Sequence, residues 1–501
     1  MKPQHKFFLA FVFINLFLCS YYLDMWTTPS TLSRAFTVYK LSEKGVYNID
    51  PYAQMCDDKS KIGEHFYSDK APLPAFFVYP FNVLLQNSTF TEALKYADQY
   101  YPIHIWRING LPDGRTTEFF FITPVIFLGS LIVGSLPFLL ILIITYISLQ
   151  KNKITFSPIY LMLAFYGSYL FVYSGTFFNH IFAGALLLLS YYFIKERKYL
   201  WSGIFLGLSF ISEYPVGLAI PIWFVLIFLN ERKIKPLFLF STGLLPGLLV
   251  LLFYNYYTSG SLLTMSYAYN ADTAYKEIHQ NYGFSFPSFK SLWGLSFSGY
   301  MGLFIFAPLL FVSMFYFIKE NLKSKWLIML KTNYLAIFTI AYFAMISCYF
   351  IWWGGWSYGP RYLIVLAVLL LYESILMLSA LKFNKIAFFI FTAFGLLTSW
   401  IAKATLVYMI PDYGVYKGIS VNTFFDITLP EFMAGRFNAS NLFTMIFRTR
   451  PGIAAFLWLL FFILSLLLLH YLYYKLIVPK TIKLKPQVET RKPKKNLKKH
   501  K

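Results

Sequence analysis

Twelve apolar runs dominate the chain, beginning near residues 7, 119, 155, 177, 199, 214, 236, 299, 333, 361, 386 and 453. Each is long enough, or nearly so, for a helix to cross about 30 Å of hydrocarbon. The runs near 199 and 214 are short and are separated by Ser212-Glu213-Tyr214-Pro215. A proline there frees backbone groups, so broken or tilted helices are expected. The first run, Phe7 to Leu23, follows Lys2 and Lys6 and has no small-x-small cleavage site, which predicts a retained signal anchor. Between the first two runs lies the polar stretch 24–118. Inside it, Thr31 to Lys44 has apolar residues at 32, 35, 36, 38, 39 and 41 with basic residues on the other side, the spacing of a helix lying on a membrane surface. Ala71 to Leu85 is a second apolar piece, and Pro72, Pro74 and Pro80 make a re-entrant or surface helix the expectation rather than a full span.

Charge orients these elements. Lys151 and Lys153, then Lys195, Arg197 and Lys198, then Arg232, Lys233 and Lys235, then Lys319, Lys323 and Lys325, then Lys382 and Lys385 fall in alternate short connections. The connections between them, 175–179, 212–215 and 353–360, hold no Lys or Arg. Positive charge collects on the cytoplasmic side, so both termini are expected there. The pattern predicts an all-α polytopic membrane protein of about twelve transmembrane helices. One transmembrane domain spans 1–478, with a large first extracytoplasmic loop at 24–118 and a last one at 404–450. The basic tail, 479–501, is expected to be disordered at the inner leaflet.

Composition agrees: 56 Phe and 40 Tyr in 501 residues, with a mean hydropathy of +0.56, exclude an ordinary soluble domain. The net charge of +22 sits in span-flanking connections and the tail, which argues against a nucleic-acid partner and for membrane lipid. Cys19, Cys56 and Cys348 give neither a metal-ligand spacing nor a disulfide framework. The expected location is a bacterial inner or plasma membrane.

Candidate chemistry gathers in the predicted outer segments. Asp57, Asp58, His65, Asp69 and Lys70 crowd into fourteen residues of a chain that is only 13% charged. Ionisable groups beside a bilayer are costly to place and usually mark a site. His180 stands at the outer start of a span, Glu213 at the break between two, and Arg361 after a Gly-Pro turn in Trp352-Trp353-Gly354-Gly355-Trp356-Ser357-Tyr358-Gly359-Pro360-Arg361. Chemistry confined to one face suits an enzyme working there; a transporter needs polar residues at mid-depth in interrupted helices. Asn179 is read as a helix cap, and the tryptophans as interfacial anchors or a surface for stacking a sugar.

With these residues in view the chain resembles the GT-C superfamily of membrane glycosyltransferases, in its protein-mannosyltransferase-like branch. The resemblance covers roughly residues 1–400. It rests on the large first outer loop with Tyr67-Ser68-Asp69-Lys70-Ala71-Pro72, on Glu213-Tyr214-Pro215, on Phe253-Tyr254-Asn255, and on Gly354 to Tyr362. It implies inverting transfer of a hexose or pentose from a polyprenyl-phosphate-linked donor to a lipid, glycan or protein acceptor. Relatives place an acidic residue shortly before an Arg early in the first loop. Here that stretch reads Pro29-Ser30-Thr31-Leu32-Ser33-Arg34, with no carboxylate, so the base does not transfer by position.

Such a transfer needs a base for the acceptor, cations for the departing phosphate and a greasy groove. Asp69 is the first candidate base, with Glu213, Asp57 and Asp58 as further catalytic carboxylates. Asp57 and Asp58, with Asp50, are also candidates for a divalent cation, although their spacing makes no metal motif. Lys70, Arg361 and Arg34 are the expected phosphate holders. His65, Tyr67, His180, Trp356 and Tyr358 complete the expected substrate-binding set. Two other classes remain open: a transporter or flippase of lipid-linked saccharides, and a non-catalytic lipid-glycan assembly protein.

Overall fold

The computed structural model describes residues 2–24, 28–89, 91–92, 121–152, 156–271, 283–321, 333–355, 357–405 and 421–478. Trp356, residues 93–120 and the basic tail 479–501 therefore lie outside the described residues. The architecture is helical. Among the described residues seven helices are long and apolar enough to cross a membrane: α1 (Pro3–Ser20), α4 (Thr123–Lys151), α7 (Ala219–Glu231, with the preceding turn from Tyr214), α8 (Ile234–Ser259), α10 (Ile364–Ala380, with the preceding turn from Arg361), α11 (Lys385–Ala404) and α12 (Pro451–Leu476). The remaining apolar runs form shorter or divided helices. They include α5 (Asn179–Lys195), α6 (Tyr199–Phe210) and α9 (Tyr334–Ser347), while α2 (Pro29–Lys44) and α3 (Leu73–Leu85) come from the stretch between the first two runs. The run near 155 divides into Pro158–Tyr166 and Tyr169–Tyr173, and the one near 299 into short pieces before Leu309–Asn321.

Small residues set a close helix contact. α6 and α8 cross where Gly203 and Gly207 meet Gly243 and Gly247, and a Cβ at Gly203 would stand 2.1 Å from the Phe240 carbonyl oxygen. Backbones approach this closely only where no side chain intervenes, the usual economy of helix packing in lipid. The short α6 is therefore held by shape. Its end at Phe210 leads directly to the Glu213 break.

Opposite ends of the bundle differ in chemistry. At one end the basic connections are tied by ion pairs: Lys195 to Glu373 at 2.5 Å, Arg197 to Glu231 at 3.6 Å, and Lys151 to Glu196. The other end holds the close of α1, α6 and α11 and the start of α5 and α10, carrying Asp24, Glu213, Lys403, Asn179 and Arg361.

Over that end folds the segment between α1 and α4. The hydrophobic spacing of 31–44 does give helix α2, but the helix does not lie on the surface. Every residue from Ser30 to Val38 is buried, Arg34 included, and so is Lys40. A polar face covered by protein on all sides replaces the expected wet one. α3 keeps an apolar outer face, with Leu84 78% exposed, while Asn82 donates to Ser42 Oγ of α2 at 2.8 Å. Between them a feature absent from the all-α expectation appears: an antiparallel hairpin of β1 (Lys59–Ile62) and β2 (His65–Ser68). Four-residue strands in a polar segment leave no periodicity to read.

Candidate functional site

The hairpin's register builds the first part of the site. Lys59 pairs with Ser68, so Asp58 and Asp69, one residue beyond each, emerge side by side. Lys70 follows and its Nζ bridges both, at 2.8 Å from Asp58 and 3.1 Å from Asp69. Ser68 Oγ meets Ser33 Oγ of α2 at 2.7 Å, fixing the hairpin's base on the buried helix. Burial raises the Asp58 carboxyl, yet Lys70, Arg361 and Arg34 together hold it below its ordinary value. Asp69 is 3% exposed, and burial pushes its carboxyl above the ordinary value against the pull of Lys70. Burial lowers Lys70, but Asp58 and Asp69 more than reverse this and the ammonium is held above the usual lysine range.

The second part comes from helix ends. Arg34 Nη2 donates to Asn179 Oδ1 at 2.6 Å, and its Nη1 donates to the Ser30 carbonyl at 2.6 Å. Asn179 Nδ2 donates to the Ser212 carbonyl at 2.7 Å and to Glu213 Oε2 at 3.0 Å. His180 Nδ1 lies 2.5 Å from the same Glu213 oxygen. Asn179 is thus the first residue of α5 rather than its cap, which is Phe178, and its amide is a junction between α2 and the Glu213 break. Burial brings the Arg34 guanidinium down to about 10, with Asp69, Asp58 and Glu213 opposing, so it stays charged at neutral pH.

The third part is Arg361. Its guanidinium carbon sits 5.5 Å over the Phe178 ring and 5.4 Å over Tyr362. Gly354, at φ +82°, makes room for it: a Cβ there would stand 2.9 Å from Arg361 Cγ. The Gly354-Gly355 turn is a cradle for an arginine stem.

These parts face one cavity of about 960 Å³. Its lining includes the polar Ser30, Arg34, Asp69, Lys70, Asn179, His180, Glu213 and Arg361 and the apolar Phe210, Leu218, Ile220, Leu263, Met265, Phe284, Met345 and Ile346. Leu263 is 83% exposed and Phe284 46%, so the apolar wall continues to the outside. Three cations in a cavity with an exposed apolar wall suit a ligand with an anionic head and a long apolar tail.

Other expected site residues stand apart. His65, at the hairpin tip, is exposed and its Nδ1 lies 2.7 Å from Asp50 Oδ2. Tyr67 is buried beside it, their rings 6.4 Å apart, and does not line the cavity. Asp57 is exposed. Tyr358 is a buried brace, its hydroxyl donating to the Thr398 carbonyl at 3.3 Å. The option of a cation between Asp50, Asp57 and Asp58 is not supported by placement. Asp50 accepts from the Phe66 N–H at 2.6 Å, Asp58 holds Lys70, and no group of three or more His, Cys, Asp or Glu among the described residues is arranged for a metal. Sequence reading missed Ser30, Tyr267, Tyr349 and Tyr362 in the cavity wall; uncharged residues in aromatic surroundings carry no local signal.

No family model, curated protein or solved structure matches this chain.

Proposed function

We propose that this protein is an inverting glycosyltransferase. It takes a sugar from a polyprenyl-phosphate donor and passes it to a lipid, glycan or protein acceptor at the extracytoplasmic face, from a bundle of about twelve spans with both ends inside. The observation that carries this reading is the cavity itself: Arg34, Lys70 and Arg361 line it together with an apolar wall that reaches the outside at Leu263 and Phe284. The phosphate lies among the cations, which offset the charge that grows on it as the glycosidic bond breaks. The polyprenyl chain follows the apolar wall. Asp58 and Asp69 hold the Lys70 ammonium charged and in place. Glu213 and His180 face the sugar end, where an acceptor must lose a proton.

The test uses the full-length protein in native membranes, which bring their own acceptors, with radiolabelled undecaprenyl-phosphate hexoses and pentoses. Label should move from one of these donors to a glycan, lipid or protein, and Lys70→Met or Arg361→Met should slow this by about 10²–10³-fold. Wild-type membranes that bind undecaprenyl phosphate but consume none of the donors would sink the enzymatic reading and leave carriage or assembly.

A further inference from the structure

The hydrogen-bond network fixes proton positions from Arg34 outward. A guanidinium only donates, so the Asn179 atom 2.6 Å from Arg34 Nη2 is the amide oxygen. Asn179 Nδ2 is then the group that reaches the Ser212 carbonyl at 2.7 Å and Glu213 Oε2 at 3.0 Å, and it can only donate to them. Glu213 Oε2 is therefore an acceptor. With Glu213 as the carboxylate, His180 Nδ1, 2.5 Å from that same oxygen, carries the hydrogen of this bond. In a neutral imidazole the lone pair then belongs to Nε2.

Nε2 has no hydrogen-bond partner among the described residues and is not sealed off, and the ring lines the cavity. The ring is held on both sides, stacked 6.2 Å from Phe178 and edge-on 6.0 Å from Tyr362. The charged groups around it are Glu213, Arg34 and Arg361. Asp69 is worse placed to accept a proton. Its Oδ2 is on Lys70 at 3.1 Å, and its Oδ1 is buried without a hydrogen-bond partner.

We infer that His180 Nε2 takes the proton from an acceptor hydroxyl, with Glu213 and Asn179 as positioning residues that fix its tautomer and direction. This rests on the glycosyltransferase reading and deepens it. A nucleophile's base oriented by a third group is a recurrent solution in catalysis. In the step, the acceptor oxygen forms a bond to the sugar's C1 from the face opposite the phosphate. The C1–O bond to phosphate breaks, its electron pair leaving on polyprenyl phosphate beside Arg34, Lys70 and Arg361. The hydroxyl proton moves to Nε2, giving an imidazolium still bonded through Nδ1–H to the Glu213 carboxylate, and is later lost to water.

The test compares His180→Ala, Glu213→Gln and Asp69→Asn in the membrane transfer assay, with undecaprenyl phosphate binding measured on each. His180→Ala and Glu213→Gln should lower kcat by about 10²–10⁴-fold. Binding of undecaprenyl phosphate by both should stay within about threefold, under 1 kcal/mol. Added imidazole should restore turnover to His180→Ala and not to Glu213→Gln. Asp69→Asn should retain turnover above that of His180→Ala. A His180→Ala protein that keeps its kcat while Glu213→Gln or Asp69→Asn loses it makes a carboxylate the base and overturns the inference, leaving the glycosyltransferase reading intact. Failure of imidazole to rescue a His180→Ala protein that still binds undecaprenyl phosphate also counts against it. Wild type that transfers no sugar removes both.

Discussion

Lys403 offers the sharpest test of how the outer end of the bundle is held together. It is 0% exposed, and its Nζ donates to Asp24 Oδ2 at 2.9 Å, to the Val172 carbonyl at 2.9 Å and to the Ser174 carbonyl at 2.6 Å. Asp24 Oδ1 accepts in turn from Asn438 Nδ2 at 3.0 Å. One ammonium thus joins the ends of α1 and α11, the turn after Tyr173 and the segment leading to α12. Lys403→Met keeps the length of the stem and removes every donor. It takes the ammonium from a buried carboxylate and the donor from two buried carbonyls. Breaking a buried pair from one side costs about 3–5 kcal/mol, and that is the expected loss here. Asp24→Asn in the Lys403→Met background removes the stranded charge, so the double variant should lie closer to wild type than the two single losses added. A coupling of about 1–3 kcal/mol is expected for groups in direct contact. Unfolding in mixed micelles by increasing SDS reports this, with Trp400 in α11 as a local probe through its bond to the Ala455 carbonyl at 3.1 Å. A Lys403→Met protein within about 0.5 kcal/mol of wild type, or single effects that add within about 0.5 kcal/mol, would refute the reasoning.

The site was legible in sequence to the extent that it is ionic. Asp69, Lys70, Glu213, His180 and Arg361 are rare polar residues among apolar runs, and they do share one cavity. What linear order hid was contact. Asp24 and Lys403 lie 379 positions apart, and each alone looks like the polar end of a span. Asn179 is an uncharged amide whose junction role exists only because Arg34, 145 positions earlier, reaches it. Proximity in sequence misled in the other direction for His65. It is four residues from Asp69, but strand geometry advances about 3.3 Å per residue, so the hairpin carries it away from the cavity that Asp69 lines. The fold shows the same division. Apolar runs did forecast where helices form, whereas their lengths depend on packing, as at the close glycine crossing of α6 and α8.

Gly354→Ala places a Cβ 2.9 Å from Arg361 Cγ at a backbone φ of +82°. The strain is about 1–2 kcal/mol, and displacing the guanidinium should weaken undecaprenyl phosphate binding by roughly tenfold. A Kd unchanged within about twofold would show that Arg361 does not hold the phosphate. Asp69→Asn tests the electrostatics of the hairpin base. Burial first, and Asp58 in addition, push the Asp69 carboxyl above its ordinary 3.8 against the pull of Lys70, so the fold favours the protonated form more than the unfolded chain does. For a group raised on folding, the stabilising contribution is present below the ordinary value and is lost as pH rises through the raised one. At pH 7, above the ordinary value, the Asp69 carboxyl therefore weighs against the fold. Asparagine copies the protonated shape without that charge, while Lys70 keeps Asp58 at 2.8 Å. Asp69→Asn should therefore be more stable than wild type at pH 7 in the SDS titration, with the gap closing as pH falls toward 3.8. A variant less stable than wild type at pH 7 would mean that the bond to Lys70 outweighs burial, and that Asp69 is held in its charged form.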